Sequence, residues 1–191
     1  MFKRLFGKRP AEQAPPTADA EPEIKVSLIS IGGAPELDFL FIRPKPIDVV
    51  RALEGWTWIG LEGLTVVAVS AFGETFFQTD SQEILYLDTI EGRIVAIAPS
   101  LSAFTADLQE VEKRDQLLFG GMVLAARSRG LVLSPEECYD YRIAPILGGQ
   151  MDVENIEKMS FVVKLHIAGQ IHEQVKDLPP GTRINSFKIS D

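Results

Sequence analysis

The residues best suited to catalysis or metal binding are two histidines and a single cysteine. His166 and His172 are six positions apart, a rotation of about 600° on a helix, so they would point to different faces. A helical zinc site needs a spacing of i, i+4 or further ligands from elsewhere in the chain. We therefore expect no metal site, and we interpret His166, which lies in an apolar stretch, as a partly buried, hydrogen-bonded side chain.

The surroundings of Cys138 disfavour nucleophilic chemistry. Glu136 and Glu137 directly precede it, and negative charges beside a thiol raise its pKa and keep it in the unreactive form. His166 would have to act as its base in a cysteine–histidine pair. We expect Cys138 to be a small buried hydrophobe. A lone cysteine also excludes an internal disulfide framework and is compatible with a reducing cytoplasm.

Acidic residues occur in pairs beside predicted turns, where carboxylates are usually solvated. The sequence contains no GxGxxG, P-loop or HExxH pattern, so the common nucleotide and zinc-protease motifs are absent. We expect no catalytic residue and no cofactor. A hydrolase that uses turn carboxylates as general acids is the alternative from the enzyme class. The pairs are Asp80/Glu83, Asp88/Glu91 and Glu136/Glu137.

Composition favours a folded, acidic protein that binds another protein. The 191 residues are 46% hydrophobic and 24% charged, with a formal net charge of −8. This composition excludes global disorder. A chain this acidic is a poor binder of phosphate backbones, and its aromatic residues are not interleaved with basic ones. It suits a positively charged partner. No apolar run approaches the roughly 18–20 residues of a membrane span.

The first 23 residues differ from the rest of the chain. They contain four of the twelve prolines and no periodic apolar face, which predicts a disordered tail. Residues 1–9 hold four basic side chains, but no apolar run of signal-peptide length follows them. We do not expect the tail to hold the protein at a membrane. Residues 24–191 are predicted to form a single domain.

Strand signals come first along this domain. Apolar and polar side chains largely alternate over residues 24–31, and residues 39–42 form a short apolar run before Pro44. Residues 47–54 predict a short helix. Four strands joined by short turns then predict an antiparallel meander. These strands are expected at 64–71, 75–78, 83–87 and 93–98.

Helical periodicity replaces the strand pattern after Pro99. The apolar residues Leu101, Phe104, Leu108 and Val111 share one face, with Ser100 or Ser102 as a cap. A second helix is expected over 115–128 and a third over 152–176, followed by a strand at 182–189. The fold class is therefore α+β. The third helix should bury an i+4 stripe consisting of Met159, Val163, Ile167, Ile171 and Val175, widened by Phe161, Leu165 and Ala168.

Six stretches, taken in order, resemble one bacterial family. They span about residues 56–175, and residues 24–55 add a faint likeness to a GAD-like segment. The chain resembles the C-terminal domain of type VI secretion immunity proteins. The stretches are Ala71–Glu74 with Phe76 and Phe77, Ile84–Gly92, Leu131–Tyr139, Ala144–Gly149, Glu154–Glu157 and Lys164–Ile171.

The resemblance implies a cytoplasmic protein that binds a co-encoded antibacterial toxin, commonly a nuclease, and blocks it without catalysis. Acidic residues in or beside the hairpin turns are our expected partner-binding residues, namely Asp80, Glu83 and Glu91. Charges at an interface rim mainly raise the association rate. The alternative is an adaptor or scaffold domain that is tethered by its basic tail. The sequence leaves the oligomeric state open.

Overall fold

The computed structural model describes residues 24–29, 35–179 and 181–190, so the tail expected at residues 1–23 lies outside the described residues. Within the described ranges, six strands form one mixed sheet: β1 (Lys25–Val26), β2 (Phe41–Ile42), β3 (Thr65–Ser70), β4 (Thr75–Gln78), β5 (Ile84–Asp88) and β6 (Arg93–Ala98). Strands β3 to β6 follow one another in space as in sequence, and every neighbouring pair among them is antiparallel. The predicted meander is confirmed.

The short strands before the meander both pair with β3. Strand β1 runs parallel to its first residues, and β2 runs antiparallel to its last ones. The expected strand at 24–31 is reduced to two residues, and residues 30–34 lie outside the described ranges. A 3-10 helix at Pro35–Leu40 occupies part of the strand expected at 39–42. Helix α1 (Pro46–Leu53) agrees with its prediction, and a 3-10 helix at Glu54–Ile59 continues it.

Local hydrogen bonds in the turns explain why the meander can be predicted from the sequence. Asp88 Oδ1 accepts hydrogen bonds from the backbone N–H groups of Ile90 and Glu91, each at 3.0 Å. Gly92 then adopts a φ of +65°, which favours glycine. These local interactions favour the β5–β6 hairpin.

The helices after the meander are shorter than predicted. Helix α2 (Leu101–Asp107) is capped by Ser100, whose Oγ accepts from Ala103 N–H at 3.2 Å. It ends before Val111, which is 56% exposed and begins helix α3 (Val111–Leu118). The expected helix at 115–128 is also interrupted, because Phe119 adopts a φ of +51° before helix α4 (Gly120–Ser128). The predicted stop before Gly130 is confirmed.

The prediction of a third helix over 152–176 is wrong for residues 152–160. Residues 152–160 form a 3-10 turn (Val153–Asn155) and strand β8 (Ile156–Ser160), which pairs antiparallel with β7 (Glu137–Tyr141). Helix α5 then covers Phe161–Val175. The buried face contains Phe161, Leu165 and Gly169, whereas Val163 is exposed and Ile167 is only half-buried. The predicted buried side is thus confirmed only in part: Ile171 of the i+4 stripe is buried, as are Phe161 and Leu165 beside it, but Val163 is exposed and Met159 belongs to β8.

The strand predicted at 182–189 is also wrong, because residues 182–190 adopt no regular structure. Two glutamines of α5 hold this segment instead. Gln174 exchanges hydrogen bonds with the backbone N–H and C=O of Lys188, and Gln170 does the same with Ser190. Side-chain amides thus take the place of a neighbouring strand.

Helices cover both faces of the meander. Successive residues of a strand point to opposite faces, and Phe76 and Phe77 accordingly enter two separate cores. Phe76 packs with Phe104 and Leu108 beneath α2 to α4. Phe77 packs with Trp56 and Leu165 beneath α1 and α5. The result is an α+β fold in which the β7–β8 hairpin contributes to both cores, with Tyr139 and Tyr141 in the first and Cys138 in the second.

Candidate functional site

The predicted partner-binding residues lie at two ends of the sheet. Asp80 and Glu83 are exposed in the β4–β5 turn, and Glu91 is exposed in the β5–β6 turn. Consecutive turns of a meander lie at opposite ends, so the five residues of β5 separate them by about 16 Å at ~3.3 Å per residue. The structure therefore brings Asp80 and Glu83 together but places Glu91 elsewhere.

Glu91 borders a groove that the sequence did not reveal. The groove has a volume of about 320 Å³, and the β5–β6 hairpin lines one side of it with apolar residues and with the charged residues Asp88, Glu91 and Arg93. Leu117, Phe119 and Met151 line it on the other. Met151 belongs to the loop between β7 and β8, so the acidic turn and this loop face the same groove.

This loop, residues 142–155, carries an unusual concentration of exposed apolar side chains. Four of them are between 38% and 57% exposed within nine residues. A cluster of exposed apolar side chains on one surface is typical of an interaction site, whereas single ones are ordinary. The sequence signal was an apolar run between polar strands that ends in a glycine pair. The four residues, which we call the apolar tip, are Ile143, Ile146, Leu147 and Met151.

Internal hydrogen bonds hold the loop in one conformation. Backbone N–H groups of Leu147 and Gly149 donate to the Ala144 carbonyl at 2.8 and 3.2 Å. Asn155 Nδ2 donates to the Gln150 carbonyl at 2.8 Å. A Cβ on Gly149 would come within 1.7 Å of the Ile143 carbonyl oxygen, so only glycine permits this approach. The apolar tip is thus displayed by a fixed backbone.

A cavity of about 110 Å³ lies beside the loop. Ile90 of the β5–β6 turn and Pro145 and Ile146 of the loop contribute to its wall. Tyr141 also lines it, and the Tyr141 Oη atom is buried with no hydrogen-bond partner in the described part of the chain. Burial raises the pKa of the Tyr141 hydroxyl to about 12, with the charge of Glu74 adding to the effect. The hydroxyl is therefore a neutral donor and acceptor.

The inner end of the cavity is a buried polar cluster. Lys164 Nζ donates to the Phe72 carbonyl at 2.7 Å and to Thr89 Oγ1 at 2.9 Å. Thr89 Oγ1 in turn donates to Glu74 Oε1 at 3.0 Å, and Ser70 Oγ donates to Glu74 Oε2. All four side chains are buried. The Thr89 hydroxyl thus connects the Lys164 ammonium to the Glu74 carboxylate. Through these bonds, α5 is linked to strand β3, to the β3–β4 turn and to the β5–β6 turn.

His172 belongs to this cluster and His166 does not. His172 Nε2 lies 2.9 Å from the Thr89 carbonyl, so Nε2 carries the proton that it donates. Burial lowers the pKa of His172, which keeps the ring neutral. His166 is half-buried as predicted, but its Nε2 atom is buried with no hydrogen-bond partner among the described residues. The predicted hydrogen bond is therefore missing at that nitrogen.

Cys138 is fully buried, as predicted. Burial raises the pKa of its thiol to about 12, against a smaller lowering effect from Lys164, so the thiolate is disfavoured. Among the residues that the structure describes, no group of three or more acidic, histidine or cysteine side chains is placed to hold a metal ion. No helix in those ranges is long and apolar enough to cross a membrane.

Comparison with solved structures gives a distant likeness. The crystal structure of Atu4351 from Agrobacterium tumefaciens aligns with 68% of this chain at 19% sequence identity and a TM-score of 0.47. The alignment covers 65% of that protein, which is slightly less than two thirds of its length. No curated protein sequence matches the chain.

A sequence family matches the second half of the molecule. Residues 98–172 match the family described as T6SS immunity protein Tdi1, C-terminal. The matched range begins at the end of β6 and contains the apolar tip, Lys164 and His172. It is shorter than the stretch of about 56–175 over which we noted the resemblance. Over residues 98–172, the family match confirms the resemblance of this chain to the type VI secretion immunity proteins.

Proposed function

We propose that this chain is an immunity protein that binds a type VI secretion toxin effector and neutralises it by stoichiometric occlusion. The family match over residues 98–172 carries the proposal, because an immunity protein implies a toxin partner. The partner is then a protein and not a nucleic acid. The single buried cysteine is consistent with the cytoplasm as the compartment.

The charge of the chain fits one class of toxin especially well. Nucleases that grip phosphates present basic surfaces, and this chain has a net charge of −8. Opposite charges accelerate the encounter of two proteins and orient them before contact. We therefore propose a nuclease as the toxin. Of the three expected partner-binding residues, Glu91 contacts the toxin directly, whereas Asp80 and Glu83, at the other end of β5, contribute only to the long-range attraction of the acidic chain.

Inhibition without turnover is supported by how the buried polar groups are used. Lys164, Glu74 and Thr89 bond to one another or to the backbone, and the pKa of the Cys138 thiol is raised by burial. These groups serve the stability of the fold. We propose that the chain blocks its partner by covering the surface that the toxin needs.

Titration of the purified chain against the toxin encoded beside its gene tests the proposal. We expect toxin activity to fall linearly and to reach its minimum near one chain per toxin. Protection at far less than one equivalent would instead indicate catalysis on the toxin or its product. Failure of the two proteins to bind would rule out the immunity function for that pair.

A further inference from the structure

We propose that the apolar tip and the β5–β6 turn together form the surface that docks onto the toxin. This inference rests on the proposed function and adds the location of the interface. The occupant is a toxin surface with an apolar cleft and a basic rim.

Exposed area and rigidity single out the apolar tip as the anchor. Ile143 is 57% exposed, and the other three members lie within the next eight residues. The backbone bonds of the loop are already made in the free protein. A preformed loop loses little conformational entropy on binding, and anchors of protein interfaces are apolar side chains that become fully desolvated.

The acidic turn supplies the rim next to this anchor. Glu91 shares a groove with Met151, and the adjacent Ile90 shares a cavity with Ile146. An apolar centre with a charged edge is the usual arrangement of a protein interface. Arg93 also lines the groove and lies 3.9 Å from Asp88, so Glu91 is the acidic residue of this edge that we propose complements the basic surface of the toxin.

The cavity between turn and loop offers a place for one partner side chain. Tyr141 is 4% exposed, and its Oη atom has no hydrogen-bond partner among the described residues. Nearly all buried polar groups are paired in stable structures. A partner side chain that enters with a polar end would complete this hydrogen bond.

The opposite end of the molecule provides matched controls. Ile47, at the start of α1, is 55% exposed, nearly the same as Ile143. The neighbouring Lys45 contacts Glu136, which precedes β7, whereas the apolar tip follows β7. Glu83 has the same chemistry as Glu91 but lies in the turn at the other end of β5.

The experiment measures binding of the full chain to the toxin encoded beside its gene, by calorimetry and by association kinetics. Ile143→Ser with Leu147→Ser should weaken affinity by about tenfold or more, while Ile47→Ser should leave it within twofold. Glu91→Lys should slow association several-fold, and Glu83→Lys should slow it much less. Thermal unfolding verifies that each variant is folded.

Hydrogen exchange of the wild-type complex provides a test without any variant. Residues 143–151 and 89–92 should be protected by the toxin, whereas residues 79–83 should be unaffected. If the wild-type chain does not bind the toxin, the proposed function fails and the docking surface fails with it. If the wild-type chain binds and residues 143–151 are neither protected nor sensitive to substitution, the docking surface alone is overturned.

Other occupants of the apolar tip would also overturn the inference. Concentration-dependent dimerisation that Ile143→Ser with Leu147→Ser abolishes, together with unchanged toxin binding, would assign the surface to a second copy of the chain. Sedimentation with anionic phospholipid vesicles that the same variant abolishes, again with unchanged toxin binding, would assign it to a lipid surface.

Discussion

At the scale of single residues, Lys164 is the side chain whose burial most needs an explanation. It is buried and bonds to the Phe72 carbonyl and the Thr89 hydroxyl on the sheet side of α5. Charged groups are seldom buried without partners. The cluster of Lys164, Thr89 and Glu74 meets this requirement and fixes α5 against the β3–β4 and β5–β6 turns.

Substitution of Lys164 should therefore be costly. Lys164→Met removes the ammonium that donates to the Phe72 carbonyl and the Thr89 hydroxyl and leaves the Glu74 carboxylate buried, and hydrogen bonds to charged groups are worth about 1.5–3 kcal/mol each. Denaturant unfolding should show a loss of that order. Lys164→Met combined with Glu74→Gln should recover part of it, since the uncompensated charge is then gone. Equal stability of Lys164→Met and the wild type would contradict the role that we assign to this lysine.

His172 should make the stability of the protein sensitive to mild acid. Burial lowers its pKa in the folded state, below the unfolded value near 6.5, so the unfolded chain binds the proton more readily. The contribution is fully present above pH 6.5 and is lost as the pH falls from there toward the folded pKa, with a slope of at most ~1.4 kcal/mol per pH unit. His172→Gln should remove this part of the pH dependence.

The measurement is the free energy of unfolding between pH 5 and 8 for the wild type and for His172→Gln. Glutamine can still donate a hydrogen bond toward the Thr89 carbonyl, so the comparison isolates the titration. His166→Gln is the matched control, because it changes the other histidine and should leave the loss of stability in place. The same pH dependence in His172→Gln would show that another group causes it.

At the scale of elements, the phase of α5 decides which of its residues carry stability. Leu165 and Phe161 are buried in the core beneath α1, and a Cβ on Gly169 would come within 2.3 Å of the Gly55 carbonyl oxygen. This face packs directly against the turn that follows α1. Val163 is exposed on another face, and Ile167 only borders cavities.

Shortening a side chain on the buried face of α5 should lower the free energy of unfolding far more than shortening one on the exposed face. Leu165→Ala should lower the free energy of unfolding by about 2–5 kcal/mol, whereas Val163→Ala should change it by less than ~0.5 kcal/mol. The sequence pattern alone predicts that Ile167→Asp unfolds or severely destabilises the domain. Because Ile167 is only half-buried in the structure, we expect a folded protein with a smaller loss of stability. Denaturant unfolding of the three variants tests this assignment. A loss for Val163→Ala as large as that for Leu165→Ala would place both residues on the buried side, as the sequence predicts.

The elements that the sequence predicted well are those determined by nearby residues. Strands β4 and β6 match their predicted bounds because turns such as Asp88–Gly92 act within a few positions. Strand β8 was missed because its apolar spacing also fits a helix, and only pairing with β7 decides between them. The break at Phe119 was missed for a related reason, because a positive φ on a phenylalanine has no local signal.

The candidate site was predictable only in part for the same physical reason. Glu91 could be chosen because acidic residues in turns are exposed whatever the fold. Its neighbour across the groove, Met151, is 60 positions away in the sequence. The apolar residues Ile143, Ile146 and Leu147 could equally have been core, and only the structure shows that they are exposed. Exposure of an apolar segment depends on tertiary packing, which no local pattern encodes.

At the scale of the whole molecule, the predicted tail should be dispensable for folding. Residues 1–23 are rich in proline and poor in periodic apolar residues, so burial cannot offset the entropy of ordering them. We expect a chain that begins at Ile24 to unfold within a few degrees of the full chain in a thermal melt. Limited proteolysis should trim the full chain to a core that starts near the same residue. A drop of many degrees would show that the tail packs on the domain.

Charge is the other property of the whole molecule, and it leads to a kinetic prediction. Residues 1–23 hold four basic and four acidic side chains, so residues 24–191 carry the entire net charge of −8. The screening length shortens from about 30 Å at 0.01 M salt to about 8 Å at 0.15 M. Association with a basic toxin should therefore slow at least several-fold over this range, while dissociation changes much less.

Stopped-flow or surface-based kinetics at several salt concentrations measure this dependence. The chain that begins at Ile24 has the same net charge as the full chain, so it should show the same salt dependence if steering is a property of the folded domain. Glu91→Lys should flatten the dependence more than Glu83→Lys, because the charge nearest the docking surface acts over the shortest distance. An association rate that does not respond to salt would show that the acidity of the chain serves solubility and not recognition.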